Sequence, residues 1–149
     1  MFKVTGMIFA ASLAVTVNGI AWSQVSDASL RIEISDIRNA IGDVGCLIFN
    51  GPDGYPESHE KAHRESHVKI MSGTAVCEFK SIAPGEYAAI VFHDENLNRK
   101  LDKNFLGIPR EGYGASNNVR PAMSAPGFKE ATVSIKAATP NSIAIKMGY

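Results

Sequence analysis

Hydrophobic and polar positions alternate through most of the chain. From Ser29 the pattern sets Leu30, Ile32 and Ile34 against Arg31, Glu33 and Ser35, a period of two that predicts a strand with one buried face. Residues 44–49, VGCLIF, are continuously apolar and too short for a helix, which predicts a more deeply buried strand. A short piece of the same kind follows at 68–70. Then Ala75, Cys77 and Phe79 alternate with Val76, Glu78 and Lys80. Residues 87–93 form the most apolar strand segment, and the last two strands are expected at 131–136 and 143–147, parted by the turn formers Thr139, Pro140 and Asn141. The expected core-facing residues are Leu30, Ile32, Ile48, Phe79, Val91, Val133 and Ile145.

Two stretches break the pattern. Residues 56–67, PESHEKAHRESH, are the most charged in the chain, and Pro56 and Ser58 are start signals that predict a short surface helix there. Residues 119–127 hold Pro121 and Pro126 and read as an irregular connection. Short strands with turn signals between them, and no long helix, argue an all-β fold: a single antiparallel β-sandwich of about seven strands.

Composition changes the picture mainly at the N-terminus. Lys3, an apolar run over 7–17 and the small residues Ala21 and Ser23 read as a signal peptide over 1–23, cleaved before Gln24. The run is shorter than the ~20 residues a membrane span needs. One domain, 24–149, is therefore expected in the periplasm or outside the cell. Loss of 1–23 removes Lys3 and no acid, leaving 14 basic against 15 acidic residues. That balance excludes a nucleic-acid partner, which demands a basic excess. Cys46 and Cys77 both lie in the exported part, where they either form a disulfide or remain as two buried thiols. A bridge would close a loop of about 32 residues and contribute roughly 3.5 kcal/mol.

The chemistry concentrates after the apolar strand at 87–93. Asp94, Asn96, Asn98 and Asp102 follow the spacing DxNxNxxxD, and with the backbone carbonyl of Lys100 they form an oxygen ligand set for Ca²⁺. Glu95 or Glu111 is available to add a carboxylate. Positions 6 and 12 of an EF-hand loop require glycine and glutamate, but Arg99 and Phe105 stand there, so affinity is expected in the weak range of ~10⁻⁴ to 10⁻³ M. The other reading is a loop ordered by its own Asp and Asn side chains.

His59, Glu60 and His63 match HExxH, the zinc-protease signature, which needs a long and partly buried helix. This stretch has no apolar face to bury, so catalysis is not expected from it. His59, His63 and His67 recur every four residues, and on a helix they would line one side as a loose zinc or copper site. His93 ends the core strand beside Asp94, where a histidine anchors a loop or serves as a base. No nucleophile elbow, phosphate loop or dinucleotide fingerprint occurs. Tyr55, Tyr87, Phe105 and Tyr113 are candidates for a ligand surface or for the core.

The stretch PGEYAAIVFHDENLNRKLDKNFLGIPREGYGASNN, residues 84–118, followed by Phe128, Lys129, Glu130 and Ala131, resembles the exported bacterial proteins of the DUF2141 family. The likeness extends over nearly the whole of 24–149. It departs from the family pattern at Leu97 and Arg99, where glycines are common. The resemblance implies a transthyretin-like or prealbumin-like (Ig-like) sandwich with no assigned activity. The expectation is a non-catalytic binding or accessory module whose partner is a small molecule, a glycan or a protein. The competing class is a small metal-dependent enzyme using His93, Asp94 and Glu111, or the row His59, His63 and His67.

Overall fold

The computed structural model describes residues 27–121 and 124–149; the expected signal peptide lies outside them. Eight strands form two sheets: β1 Ala28–Ser35, β2 Asp43–Phe49, β3 Arg64–Val68, β4 Ala75–Ile82, β5 Gly85–Asp94, β6 Tyr113–Ala115, β7 Thr132–Ile135 and β8 Pro140–Lys146. The first sheet runs β4-β1-β8. The second runs β3-β2-β5-β6, with β7 also paired to β5. β7 takes the first part of β5 (Tyr87 opposite Val133) and β6 its second part (Val91 opposite Gly114), so one edge of β5 is shared by two short strands.

The period-two reading of β1 holds residue by residue: Ala28, Leu30, Ile32 and Ile34 are buried while Ser29, Arg31 and Glu33 are exposed. The continuous apolar runs of β2 and β5 are buried on both faces. Their inward residues, among them Val44, Cys46, Ile48, Ala89 and Val91, meet Leu30, Ile32, Cys77 and Ile145 between the sheets. Each such aliphatic side chain contributes about 1.5–3 kcal/mol. Cys46 and Cys77 form a disulfide with a Cα–Cα distance of 6.6 Å, joining β2 of one sheet to β4 of the other inside this core. Leu47, Phe49, Ile90 and Phe92 point the other way and pack with Tyr55, Leu101 and Phe128 as a second apolar cluster on the outer face of the larger sheet.

Four expectations need correction. The sheets are not antiparallel throughout, because β8 runs parallel to β1 (Ile32 opposite Ile143); the chain crosses between sheets after β7, and no hairpin constrains a pair so distant in sequence. β6, only three residues long, is an additional strand. No surface helix occupies 56–67: His59–Lys61 is a single 3₁₀ turn and the charged residues that follow become edge strand β3, as a stretch without an apolar stripe favours. Val133 is only partly buried, at the margin of the core, because β7 lies on an edge. No helix among the described residues is long and apolar enough to cross a membrane.

Candidate functional site

Strand β5 ends in two neighbouring buried residues, His93 and Asp94, and alternation sends them to opposite faces. His93 turns inward. Its Nε2 donates to the carbonyl of Ile41 (2.7 Å), which leaves Nδ1 to accept from the Tyr149 hydroxyl (2.8 Å). That hydroxyl in turn accepts the backbone N–H of Arg38 (3.1 Å). Both ring nitrogens are therefore engaged, and the ring is separated from Asp94 by the sheet itself. His93, Asp94 and Glu111 do not converge as an acid–base group.

Asp94 turns outward and starts the loop 94–111. Its carboxylate accepts the N–H groups of Asn98 (3.0 Å) and Arg99 (2.7 Å). Glu111, also buried, accepts those of Glu95 (2.8 Å) and Asp102 (2.9 Å). Two buried carboxylates thus act as hubs for backbone donors that the turn would otherwise leave unpaired. Between them Asn96 Oδ1 accepts from Asn98 N–H and Asn98 Oδ1 from Lys100 N–H. The amides of Asn96 and Asn98 both donate to Asp102, at 2.7 and 2.8 Å. Leu97 and Arg99 adopt left-handed φ of 60° and 62°, which explains why glycine suits these two positions.

Both extra carboxylates already have partners within the fold. Glu111 is committed to its two backbone donors, and Glu95 pairs with the guanidinium of Arg38 and the amide of Asn39. The Arg38 hydrogen bonds hold the Glu95 carboxyl at about 2. Beyond Asp102 the loop forms a small hairpin in which Asn104 Oδ1 accepts from Leu106 and Ile108 N–H. This turn leaves Phe105 96% exposed, with Leu106 and Ile108 also outside. Of the other aromatic candidates, Tyr87 belongs to the inter-sheet core and Tyr55 and Tyr113 pack on the outer cluster.

The histidine row is broken up, since its residues do not share a helix. His63 packs against Tyr87. His59 and His67 instead meet through Glu65: His67 Nε2 lies 2.7 Å and His59 Nδ1 3.1 Å from the same Glu65 oxygen. Burial opposes ionisation of Glu65, but the two histidines outweigh it and lower its carboxyl below the usual range. Both rings stand edge-on to Phe92, with centroids 5.8 and 5.9 Å away. The Phe92 ring lies over Gly45, where a Cβ would come within 2.3 Å of it; glycine is required for the ring to lie flat.

One more contact completes this face. β2 and β5 pair with Asp43 opposite Asp94, and His67 Nδ1 lies 3.2 Å from Asp43 Oδ1. One ligand-type atom each from Asp43, His67 and Asp94 lie within 4.8 Å of one another. Asp43 and Glu65 carry no local motif; they join the site only through strand register. No curated protein and no solved structure matches the chain. Residues 32–143 match the model of a family described as an uncharacterized protein conserved in bacteria, so the chain, with its two-sheet fold and the loop between β5 and β6, belongs to the DUF2141 family.

Proposed function

We propose that the protein is an exported, non-catalytic binding module of the periplasm or cell exterior that presents the 94–111 loop to a small molecule, a glycan or a protein, and that calcium tightens this loop. The observation that carries the reading is the convergence of Asn96, Asn98 and Asp102 side chains within hydrogen-bond distance of each other on a loop rooted in a core strand. A rigid sheet end that displays a polar loop and the exposed Phe105 tip is suited to recognition. The N-terminal signal pattern and the disulfide support export. The transthyretin-like label for the sandwich rests on the family resemblance.

Asp94, Asn96, Asn98, Asp102 and the Lys100 carbonyl would hold the ion, all through oxygen, as calcium prefers. Only Asp94 and Asp102 bring charge. The ion must also displace the two amide bonds to Asp102, which keeps affinity low. With a dissociation constant of ~1 mM, 10 mM calcium stabilises the fold by about 1.4 kcal/mol, a rise of roughly 3–5 °C in melting temperature. Magnesium gives a smaller rise, because it dehydrates reluctantly. Thermal melts with calcium, magnesium and chelator test this on the wild type and on Asp102→Asn. Equal curves with calcium and with chelator would leave a loop ordered by its own hydrogen bonds alone.

A further inference from the structure

We propose that Asp43, His67 and Asp94 form a second metal site, which shares Asp94 with the calcium loop but differs from it in its imidazole donor, for a divalent first-row transition ion of which zinc is the best fit. The first argument is electrostatic. Register places the Asp43 and Asp94 carboxylates directly opposite each other on one face of a β ladder, where like charges are destabilising. Asp94 is 1% exposed, so water cannot screen it, and a cation between the strands removes the conflict.

The second argument is the orientation of His67. Its Nε2 faces the Glu65 carboxylate at 2.7 Å, and Glu65 is itself steadied by His59. A histidine whose far nitrogen donates to a carboxylate presents the lone pair of its near nitrogen, the arrangement that accompanies metal-ligating imidazoles. That near nitrogen, Nδ1, faces Asp43 at 3.2 Å. An ion held on Nδ1 would lie between the imidazole and the Asp43 carboxylate.

The third argument is size and donor type. Ligands at ~2.0–2.2 Å from zinc stand about 3.0–3.5 Å from each other. The Asp43–His67 spacing already meets this, and the full set, within 4.8 Å, closes with a shift of about 1 Å in a side chain. One imidazole and two carboxylates balance a divalent charge and favour a transition ion over calcium, which takes oxygen ligands. The His67 side chain is 10% exposed and that of Asp43 22%, so the site is largely buried and solvent reaches it only from the Asp43 side.

The test uses the purified, disulfide-bonded protein, stripped with chelator and titrated with zinc by calorimetry and with cobalt by visible absorption. One zinc per chain is expected, with a tetrahedral or five-coordinate cobalt spectrum. His67→Gln and Asp43→Asn each weaken zinc at least tenfold, Glu65→Gln weakens it to a lesser degree, and His63→Ala leaves it unchanged. Asp102→Asn loses the calcium response and keeps zinc, while His67→Gln loses zinc and keeps calcium, so the two sites fail separately. Far-UV circular dichroism verifies that each variant is folded. Absence of stoichiometric zinc in the wild type would overturn the proposal, as would zinc binding that survives both His67→Gln and Asp43→Asn.

Discussion

His93 and Asp94 are adjacent, almost equally buried and turned to opposite faces of one sheet, and the two faces treat them differently. On the inner face, a carbonyl and a hydroxyl take both ring nitrogens of His93, with the Glu95 carboxylate 3.9 Å from Nδ1, and the end of the core is sealed. On the outer face, Asp94 meets a second carboxylate across the ladder, with His67 alongside. The same strand end is thus closed by hydrogen bonds on one side and carries facing carboxylates on the other. Burial alone does not mark a site; burial of charge beside like charge does.

The comparison breaks most easily at the inner face. His93→Ala removes a fully buried ring and leaves the Ile41 carbonyl and Tyr149 hydroxyl without that partner, so denaturant unfolding should show a loss of about 3 kcal/mol. His67→Ala on the outer face should cost no more than about 1 kcal/mol with chelator present. Equal losses would mean that both faces are structural.

A smaller effect is expected in acid. Glu95 sits at about 2 in the fold against an ordinary 4.5, so as pH falls the unfolded chain takes up the proton first. The stability Glu95 lends is present above about pH 5 and drains away between 4.5 and 2. Because the pair with Arg38 is partly exposed, its size is about 1 kcal/mol. Melts of wild type and Glu95→Gln across pH 2–6 should converge at the acid end; a constant gap would assign the effect to another group.

The smallest change concerns loop strain. Leu97→Gly and Arg99→Gly should each raise stability by about 0.5 kcal/mol, the balance of left-handed strain relieved against added chain entropy. Paired melting curves resolve this, and a loss at either position would show that the side chain makes a contact worth more than the strain.

Much of the architecture was legible in the chain. The alternation of β1 and the doubly buried runs of β2 and β5 follow from local pattern, and the pairing of Cys46 with Cys77 is one of the two readings the sequence left open. What pattern could not supply is register and direction. Period two tells which face Ile143 takes, but not that β8 runs parallel to β1. For the same reason Asp43 was invisible as a site residue: nothing near it in sequence marks it, and its opposition to Asp94 exists only once β2 and β5 are paired. The spacing of His59, His63 and His67 misled because it assumes a helical period, whereas His67 lies in a strand where Glu65 and His67 share a face.

The two margins of the sandwich are defended in unlike ways. Gly148 pairs with Tyr113, and Met147 donates to the carbonyl of Ser35, so the segment after β8 laces the smaller sheet to the β6 margin of the larger one. At the other margin the edge strand β3 carries exposed Arg64 and Glu65. An unpaired strand is a template for recruiting a neighbouring molecule into a fibril, and charge along it is a common deterrent. The stretch whose histidines invite a protease reading therefore helps to keep a two-sheet protein from aggregating with its own copies.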